Sequence, residues 1–414
     1  MSEDCRRRHT CRLCGGRDLT LVVRLTPTPP ANAFVGEAAK SKDQPHFPLD
    51  VFLCGGCAHV QLLDVVDPRL LFEDYVYVSG TSSVFVEHFA KYAEAVVKRF
   101  KPRPGDLVVD IGSNDGTLLR KFKDRRLRVL GVDPARAIAK RATEAGIETI
   151  ANFFTPALAV EIRDKYGPAA LITANNVFAH ADDLAGLRDG ASSLIAPDGV
   201  FVFEVSYLMD VVEKTLFDTI YHEHLAYHSV KPLRRFFEAG GMELFAVQRV
   251  DAHGGSLRGM AGLAGGPHAA DGTIERLIAG EVRAGLDHVK TFLAFAEHIE
   301  DLGRALKRLV NRIKAEGKTI AGFGAPAKAT TLMHHFRLGP DVVDFIVDDS
   351  PLKQGLYTPG HHIPVLPAQA LYERRPDYVI VLAWNFAPSI IAKHSAFRDG
   401  GGHFIVPLPT LEVH

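Results

Sequence analysis

The chain has 414 residues, 47% of them apolar and 23% charged, with 48 basic against 49 acidic side chains. That length fits two to three domains of an ordinary globular protein, and the even charge excludes the electrostatic footprint of a nucleic-acid or anionic-membrane binder. No apolar run approaches the roughly 20 residues that span a bilayer, and the charge-rich start carries no secretory signal, so a cytoplasmic protein without a membrane partner is expected.

Four of the five cysteines fall into two tight pairs, Cys11-Arg-Leu-Cys14-Gly-Gly and Cys54-Gly-Gly-Cys57. Each pair is a zinc knuckle: glycine lets the backbone bend until two sulfurs converge on one ion, and two knuckles complete a tetrahedron. Four thiolates leave no open ligand position, so Cys11, Cys14, Cys54 and Cys57 are expected to hold a structural Zn²⁺. A redox role fits less well, because no thioredoxin-like βαβ pattern surrounds either pair. A proline-rich loop of about forty residues is expected between the pairs, and the zinc-binding domain is taken as residues 1–72.

A helix from Val84 to Phe100 leads into the strand Leu107-Val108-Val109-Asp110-Ile111, the loop Gly112-Ser113-Asn114-Asp115-Gly116, a helix from Thr117 to Lys123, and a second strand ending at Asp133. This is the first βαβ of a doubly wound sheet, whose ligand sits at the carboxyl ends of the strands. Gly112 and Gly116 let a ligand approach the backbone, and Asp133 stands where an acid accepts hydrogen bonds from a ribose. An acid leading the loop is costly beside a pyrophosphate but suits a ligand with a sulfonium and an amino group. The Asp-x-Gly-x-x-x-Gly pattern resembles the class I methyltransferases, with Asn114 where glycine is usual. Strands near Ala170–Thr173 and Gly199–Val205, and a hairpin of Met242–Val250 with Ser256–Leu263, continue the sheet over a domain expected at 73–285.

Ile220-Tyr221-His222-Glu223-His224-Leu225-Ala226-Tyr227-His228-Ser229 concentrates an acid, three imidazoles and two phenols. Three readings compete: acid–base chemistry, polar packing, and a metal. The last is the weakest, because Leu225 stands where a zincin needs glutamate between His224 and His228.

In the remaining 286–414, strands from Thr319, Val342 and Tyr378 with a helix from Ala325 to His334 describe a second Rossmann-like α/β domain. Gly322-Phe323-Gly324-Ala325-Pro326-Ala327 satisfies a relaxed GxGxxA pattern, so an NAD-dependent oxidoreductase or epimerase is the alternative function. A non-catalytic zinc-ribbon scaffold is a third, although it leaves the histidine segment idle.

Taken together, the cysteine pairs, Tyr75-Val76-Tyr77-Val78-Ser79-Gly80-Thr81-Ser82, the Asp110 loop, the Tyr-x-Glu-His segment, His253-Gly254-Gly255-Ser256-Leu257-Arg258 and Gly322 to Lys328 occur in the order found in the deoxysugar C-methyltransferases, which this chain resembles along its whole length. Those enzymes build branched sugars of the mycarose, tetronitrose and novobiose types. The resemblance implies a monomer with three domains that uses S-adenosylmethionine to methylate carbon 3 of a TDP-linked 4-keto-2,6-dideoxysugar. It implies His224 as base, with Tyr221 and Glu223 beside it and Tyr75, Asn176 and His180 lining the pocket. Cofactor contacts are expected from Asp110, Gly112, Ser113, Asn114, Gly116, Asp133 and Asn176. Substrate contacts are expected from Tyr75, Tyr77, Ser79, Asn176, His253, Ser256, Arg258 and Lys328, the last offering its charge to the phosphates.

The chemistry agrees with that implication. A sugar carbon becomes a nucleophile only when a neighbouring ketone acidifies its proton and a base removes it. The enolate oxygen then needs a donor, for which Tyr221, His180 and Tyr75 are the candidates.

Overall fold

The computed structural model of the protein describes residues 4–72, 80, 83–252 and 254–414, with the side chains of residues 83 and 84 outside the description. Tyr75, Tyr77, Ser79 and His253 therefore lie outside the described residues.

The middle of the chain forms a seven-stranded sheet. Its spatial order is Met242–Val250, Ser256–Leu263, Ile195–Ser206, Ala169–Asn175, Leu107–Ile111, Arg128–Val132 and Thr149–Ile150. Leu107–Ile111 is fully buried and pairs in parallel with both neighbours, as a continuous apolar run without alternation requires. The expected hairpin is present with the expected ends, but only its second strand runs antiparallel to the sheet. Ser256–Leu263 inserts between Ile195–Ser206 and Met242–Val250, bonded to both. This leaves the order reversal at the central strand, where the Gly112 loop emerges. Behind the sheet, Phe178, Phe201, Phe203, Phe236 and Phe237 pack ring on ring with almost no exposure. Truncating any one of them to alanine would cost about 3–5 kcal/mol.

The cysteine pairs stand at one end of a four-stranded antiparallel sheet ordered Ala226–Tyr227, Val60–Leu62, Phe47–Cys54 and Leu19–Thr28. The segment between the pairs is thus far from all loop. Its two ends are strands, Leu19 pairing with Cys54, because Leu19-Thr20-Leu21-Val22-Val23 and Phe47-Pro48-Leu49-Asp50-Val51 carry apolar and β-branched side chains at strand spacing. The strand Ala226–Tyr227 comes from the histidine segment, so that segment is part of the zinc-binding sheet.

The last sheet is ordered Val365–Leu366, Ile346–Val347, Ile320–Phe323, Tyr378–Val381, His403–Val406 and Glu412–Val413, parallel except for the final strand. The strand expected from Val342 is only Ile346–Val347, since Val342 and Val343 close turns onto the Gly339 carbonyl. The 27-residue helix Val289–Ala315 lies outside the elements read from sequence. It buries Phe292, Phe295, Ile299, Leu302, Leu306, Val310 and Ile313, a stripe of three- and four-residue steps that marks an amphipathic helix, and packs on strand Leu19–Thr28. No helix among the described residues is long and apolar enough to cross a membrane.

Two histidines of the 220–229 segment end in the interior. His222 donates its Nε2–H to the Phe47 carbonyl at 3.1 Å, and His228 stacks between His59 and Phe178. Burial pushes both imidazoles down to about 4, against an ordinary value near 6.5 in the unfolded chain. The unfolded chain then binds protons more tightly than the folded one, so the full stability present above about pH 6.5 is lost progressively as pH falls toward 4. The loss is of the order of 3 kcal/mol per group. Urea midpoints should fall across that window, and His228→Phe, which keeps a ring against Phe178, should flatten the fall; midpoints independent of pH would contradict this.

Candidate active site and metal centre

The four ligand sulfurs of Cys11, Cys14, Cys54 and Cys57 lie within 4.8 Å of one another. Cys11 and Cys57 are 3.6 Å apart at sulfur, as are Cys14 and Cys54. That is near the edge of about 3.8 Å set by tetrahedral Zn–S bonds of 2.3 Å and far beyond a disulfide bond. The bends are those that knuckles need. Gly15 has φ +70°, its N–H returns to the Cys11 carbonyl, and the Ala58 N–H returns to that of Cys54. A Cβ on Gly16 would stand 3.2 Å from the Cys14 sulfur. The donor set and the closed geometry suit zinc, and Cys5 lies apart from it in the short strand Cys5–Arg7.

At the carboxyl ends of the central strands two acids face one loop. Asp110 accepts from the Thr173 hydroxyl at 2.6 Å; burial pushes its carboxyl up to about 7, a rise opposed by that hydrogen bond and increased by the charge of Asp133. Asp133 accepts from the Asn114 and Ala135 backbone N–H groups at 2.8 and 2.9 Å, and burial raises it too. The loop between these acids turns through left-handed backbone at Gly112, Asn114 and Gly116. Asn114, at φ +50°, occupies a conformation that asparagine tolerates better than most residues, which explains how it replaces a glycine. A Cβ on Gly112 would come within 2.3 Å of the Val177 side chain. The Ser113 hydroxyl is buried with no hydrogen-bond partner among the described residues. Asp115 caps the following helix through the Thr117 N–H and also receives the Gly80 N–H. A pair of buried acids with raised pKa values is relieved by a cation, as the amino and sulfonium groups of S-adenosylmethionine provide.

The next loop, Asn176 to His180, leaves the strand Ala169–Asn175 with Asn176 at φ +55°. It is tied to the histidine segment, for the Leu225 and Ala226 N–H groups both donate to the Ala179 carbonyl. Three rings meet there. His224 lies 4.1 Å from Tyr221 and 5.0 Å from His180, centroid to centroid, and Phe72 stacks on the far side of His180. The Nδ1–H of His224 donates to the Thr219 carbonyl at 2.7 Å, a tautomer assigned from this bond that puts the basic lone pair on Nε2. Loss of hydration together with the neighbouring His224 holds His180 far below its ordinary pKa, and its Nε2 has no partner among the described residues. Glu223 is buried and accepts from Asn32 Nδ2 at 2.7 Å. The structure thus brings Tyr221, His224 and His180 together, with Glu223 next in sequence, and turns His222 and His228 away.

Three expected substrate contacts are engaged within the chain. Arg258 forms a buried ion pair with Glu204 at 2.9 Å, over the Tyr92 ring, and Glu204 also meets His88. The Ser256 hydroxyl donates to the Ala252 carbonyl. Lys328 stands 3.6 Å from Asp218, 4.3 Å over the Trp384 ring, and bonds Asn385. Gly254 and Gly255 are required by packing, since a Cβ would meet Asn385 at 2.8 Å and the Asp210 carboxylate at 2.1 Å. Sequence reasoning missed Asp218, Thr219, Thr331, Trp384 and Asn32. One signal was available: an aspartate inside the apolar run Leu216-Phe217-Asp218-Thr219-Ile220 needs a buried partner.

The GxGxxA loop of the C-terminal sheet is tied to the chain itself at Ala325. The Ala325 N–H donates to Asp348, Lys353 donates to the Ala325 carbonyl, and Phe34 from the N-terminal segment lines a cavity of about 10 Å³ together with Ala325, Pro326 and Ile346. That is room for about one water, so this cavity does not admit a nicotinamide ring.

A sheet with a single antiparallel strand placed next to last, an acid-led glycine loop at the switch point and a four-cysteine cluster define a class I methyltransferase with an added zinc-binding domain. The family described as a zinc binding domain matches residues 11–72, a methyltransferase domain family matches 85–247, and a C-methyltransferase C-terminal domain family matches 251–409. The C-methyltransferase NovU of Streptomyces niveus is 38% identical over 403 residues, 97% of this chain and 96% of its own. Among solved structures, the magnesium protoporphyrin IX methyltransferase ChlM of Synechocystis PCC 6803 aligns at 14% identity over 44% of this chain and 81% of its own, TM-score 0.33. The YcgJ protein of Bacillus subtilis aligns at 12% over 43% and 98%, TM-score 0.34. The chain belongs to the deoxysugar C-methyltransferase family and is an S-adenosylmethionine-dependent C-methyltransferase that carries zinc.

Metal analysis of the purified protein should find one zinc per chain. Cys14→Ser should lose most of it and melt at lower temperature; full zinc in that variant would place the ion elsewhere. Asp133→Ala removes a carboxylate at the strand end and releases the Asn114 and Ala135 N–H groups, so calorimetry should show S-adenosylmethionine binding weakened by about 10- to 100-fold, the equivalent of roughly 1.4–2.8 kcal/mol.

Proposed function

We propose that the protein methylates the carbon beside the ketone of a nucleotide-linked 4-keto-deoxysugar, carbon 3 of a TDP-sugar, with His224 as the base. The observation that carries this reading is the His224 ring, whose Nδ1–H is committed to the Thr219 carbonyl and whose basic nitrogen is Nε2. A carbonyl in that position also favours the imidazolium formed when Nε2 takes the proton.

His180 supports the second requirement. A histidine held neutral can donate through Nε2–H to a developing enolate oxygen without being acidic enough to protonate it outright. Tyr221, tilted against the base with ring centroids 4.1 Å apart, is the other donor candidate in the same region. Asn32 fixes Glu223 beside them. Asp110, Asp133, Ser113, Asn176 and the backbone of Gly112, Asn114 and Gly116 hold S-adenosylmethionine in this reading. When bound, the cofactor supplies an electrophilic methyl group to the carbanion. The close packing of Phe72 on His180 keeps water from one side of the rings.

The test separates proton removal from methyl transfer. With S-adenosylhomocysteine and a TDP-linked 4-keto-2,6-dideoxysugar, the wild-type enzyme should exchange the proton beside the ketone for solvent deuterium without forming product. His224→Ala should lose exchange and methylation alike, by about 10²- to 10⁴-fold, while still binding S-adenosylmethionine. His222→Ala and His228→Ala should cost less in the exchange step of the protein that remains folded. Exchange at the wild-type rate in His224→Ala would remove this histidine from the role.

A further inference from the structure

The geometry points to a positioning role for Thr331, Lys328 and Trp384 of the C-terminal domain, which orient His224 by gripping the backbone that holds its ring. This rests on the reading of His224 as the base.

The ring is oriented by one backbone carbonyl, that of Thr219. The residues on either side of Thr219 are both anchored by the C-terminal domain. Ile220 offers its carbonyl to the Thr331 hydroxyl at 2.8 Å. Asp218, wholly buried, accepts from the Trp384 indole N–H at 2.6 Å, with the Lys328 ammonium 3.6 Å from the same oxygen. Lys328 and Thr331 are three residues apart on the helix Ala327–His335, so one helix face supplies two of the three holds. The third, Trp384, follows the neighbouring parallel strand Tyr378–Val381.

Packing alone does not account for this arrangement. A buried aspartate facing a buried lysine is poor value for stability, and apolar residues of similar volume would pack at least as well. Burial pushes the Asp218 carboxyl up and the Lys328 ammonium down, each opposed by the other's charge. What the polar set adds is direction: two donors meet the Asp218 carboxylate and a third the Ile220 carbonyl, so both residues flanking Thr219 are held. Displacement of a catalytic group by about 1 Å can cost on the order of 100-fold in rate. The Lys328 charge is then matched by Asp218, and the Gly322-to-Lys328 motif serves the base rather than a phosphate.

Three variants test this. Thr331→Val removes a donor at nearly constant volume, Thr331→Ser restores it, and Trp384→Phe removes the indole N–H. Deuterium exchange is followed with S-adenosylhomocysteine and a TDP-linked 4-keto-2,6-dideoxysugar. Thr331→Val and Trp384→Phe should each slow maximal exchange by about 10-fold with KM changed by less than about twofold, and Thr331→Ser should stay near wild type. Thr331→Val combined with His224→Ala should be no slower than His224→Ala alone. In protein labelled with ¹⁵N-histidine, the His224 ring, assigned by its loss in His224→Ala, should show the Nδ1–H tautomer in wild type and a mixture in Thr331→Val. A KM that rises at constant maximal rate, deficits that multiply with His224→Ala, or a tautomer unmoved in both donor-less variants would overturn the inference. If Thr331→Val is destabilised, Trp384→Phe carries the same measurements. Exchange surviving in His224→Ala would remove the base reading, and the tautomer signal would still decide whether the C-terminal grip orients the ring.

Discussion

A stretch of backbone buried among several packing units must find hydrogen-bond partners from whichever unit covers it, and residues 218–228 are such a stretch. The Ile220 carbonyl accepts from Thr331 and one carboxylate oxygen of Asp218 from Trp384, both from the C-terminal part of the chain. Asn32 and Phe47 from the N-terminal part bind Glu223 and His222, and the Ala179 carbonyl from the central sheet takes two N–H groups. Tyr221 and His224 face the remaining direction. The ring geometry at this place is therefore a property of three packed units, and none of them supplies it alone.

Zinc enters the same argument at a distance. The knuckles pin Leu19 beside Cys54 at one end of a strand pair, and the segment leaving the other end carries Ala31, Asn32 and Phe34. Ala31 accepts from Thr330, Asn32 donates to Glu223, and Phe34 lines a small cavity with Ala325 and Pro326. Metal binding stabilises a small sheet with a modest core of its own, and through that sheet it fixes contacts to both other units. The structural ion is thereby coupled to the histidine segment through the strands that carry its ligands.

The buried acids show how environment divides one residue type into different tasks. Asp110 and Asp133 lie at adjacent strand ends and accept from hydroxyl and N–H donors, with no basic side chain bonded to them among the described residues, which suits an incoming cation. Asp218 has its cation already, in Lys328. Glu204 has Arg258 and His88. Only the first pair is arranged to gain from a positively charged ligand.

The amino-acid sequence by itself determined the cysteine knuckles, the first βαβ with its acid-led loop, and the final hairpin, because each depends on residues close in the chain whose spacing dictates a turn or a period. It also marked the 220–229 segment as too polar to bury idly. Only the tertiary structure decided which of its histidines meets Tyr221 and His180, since three imidazoles two or more residues apart look alike until the backbone is paired with the zinc-binding sheet at Ala226–Tyr227. It also decided that Lys328 and Arg258 are matched by Asp218 and Glu204, and that Phe34 lines a cavity beside Ala325 and Pro326. Those outcomes depend on partners from about 50 to 300 positions away, and the identity of a distant partner leaves no periodicity in the local sequence from which it could be read.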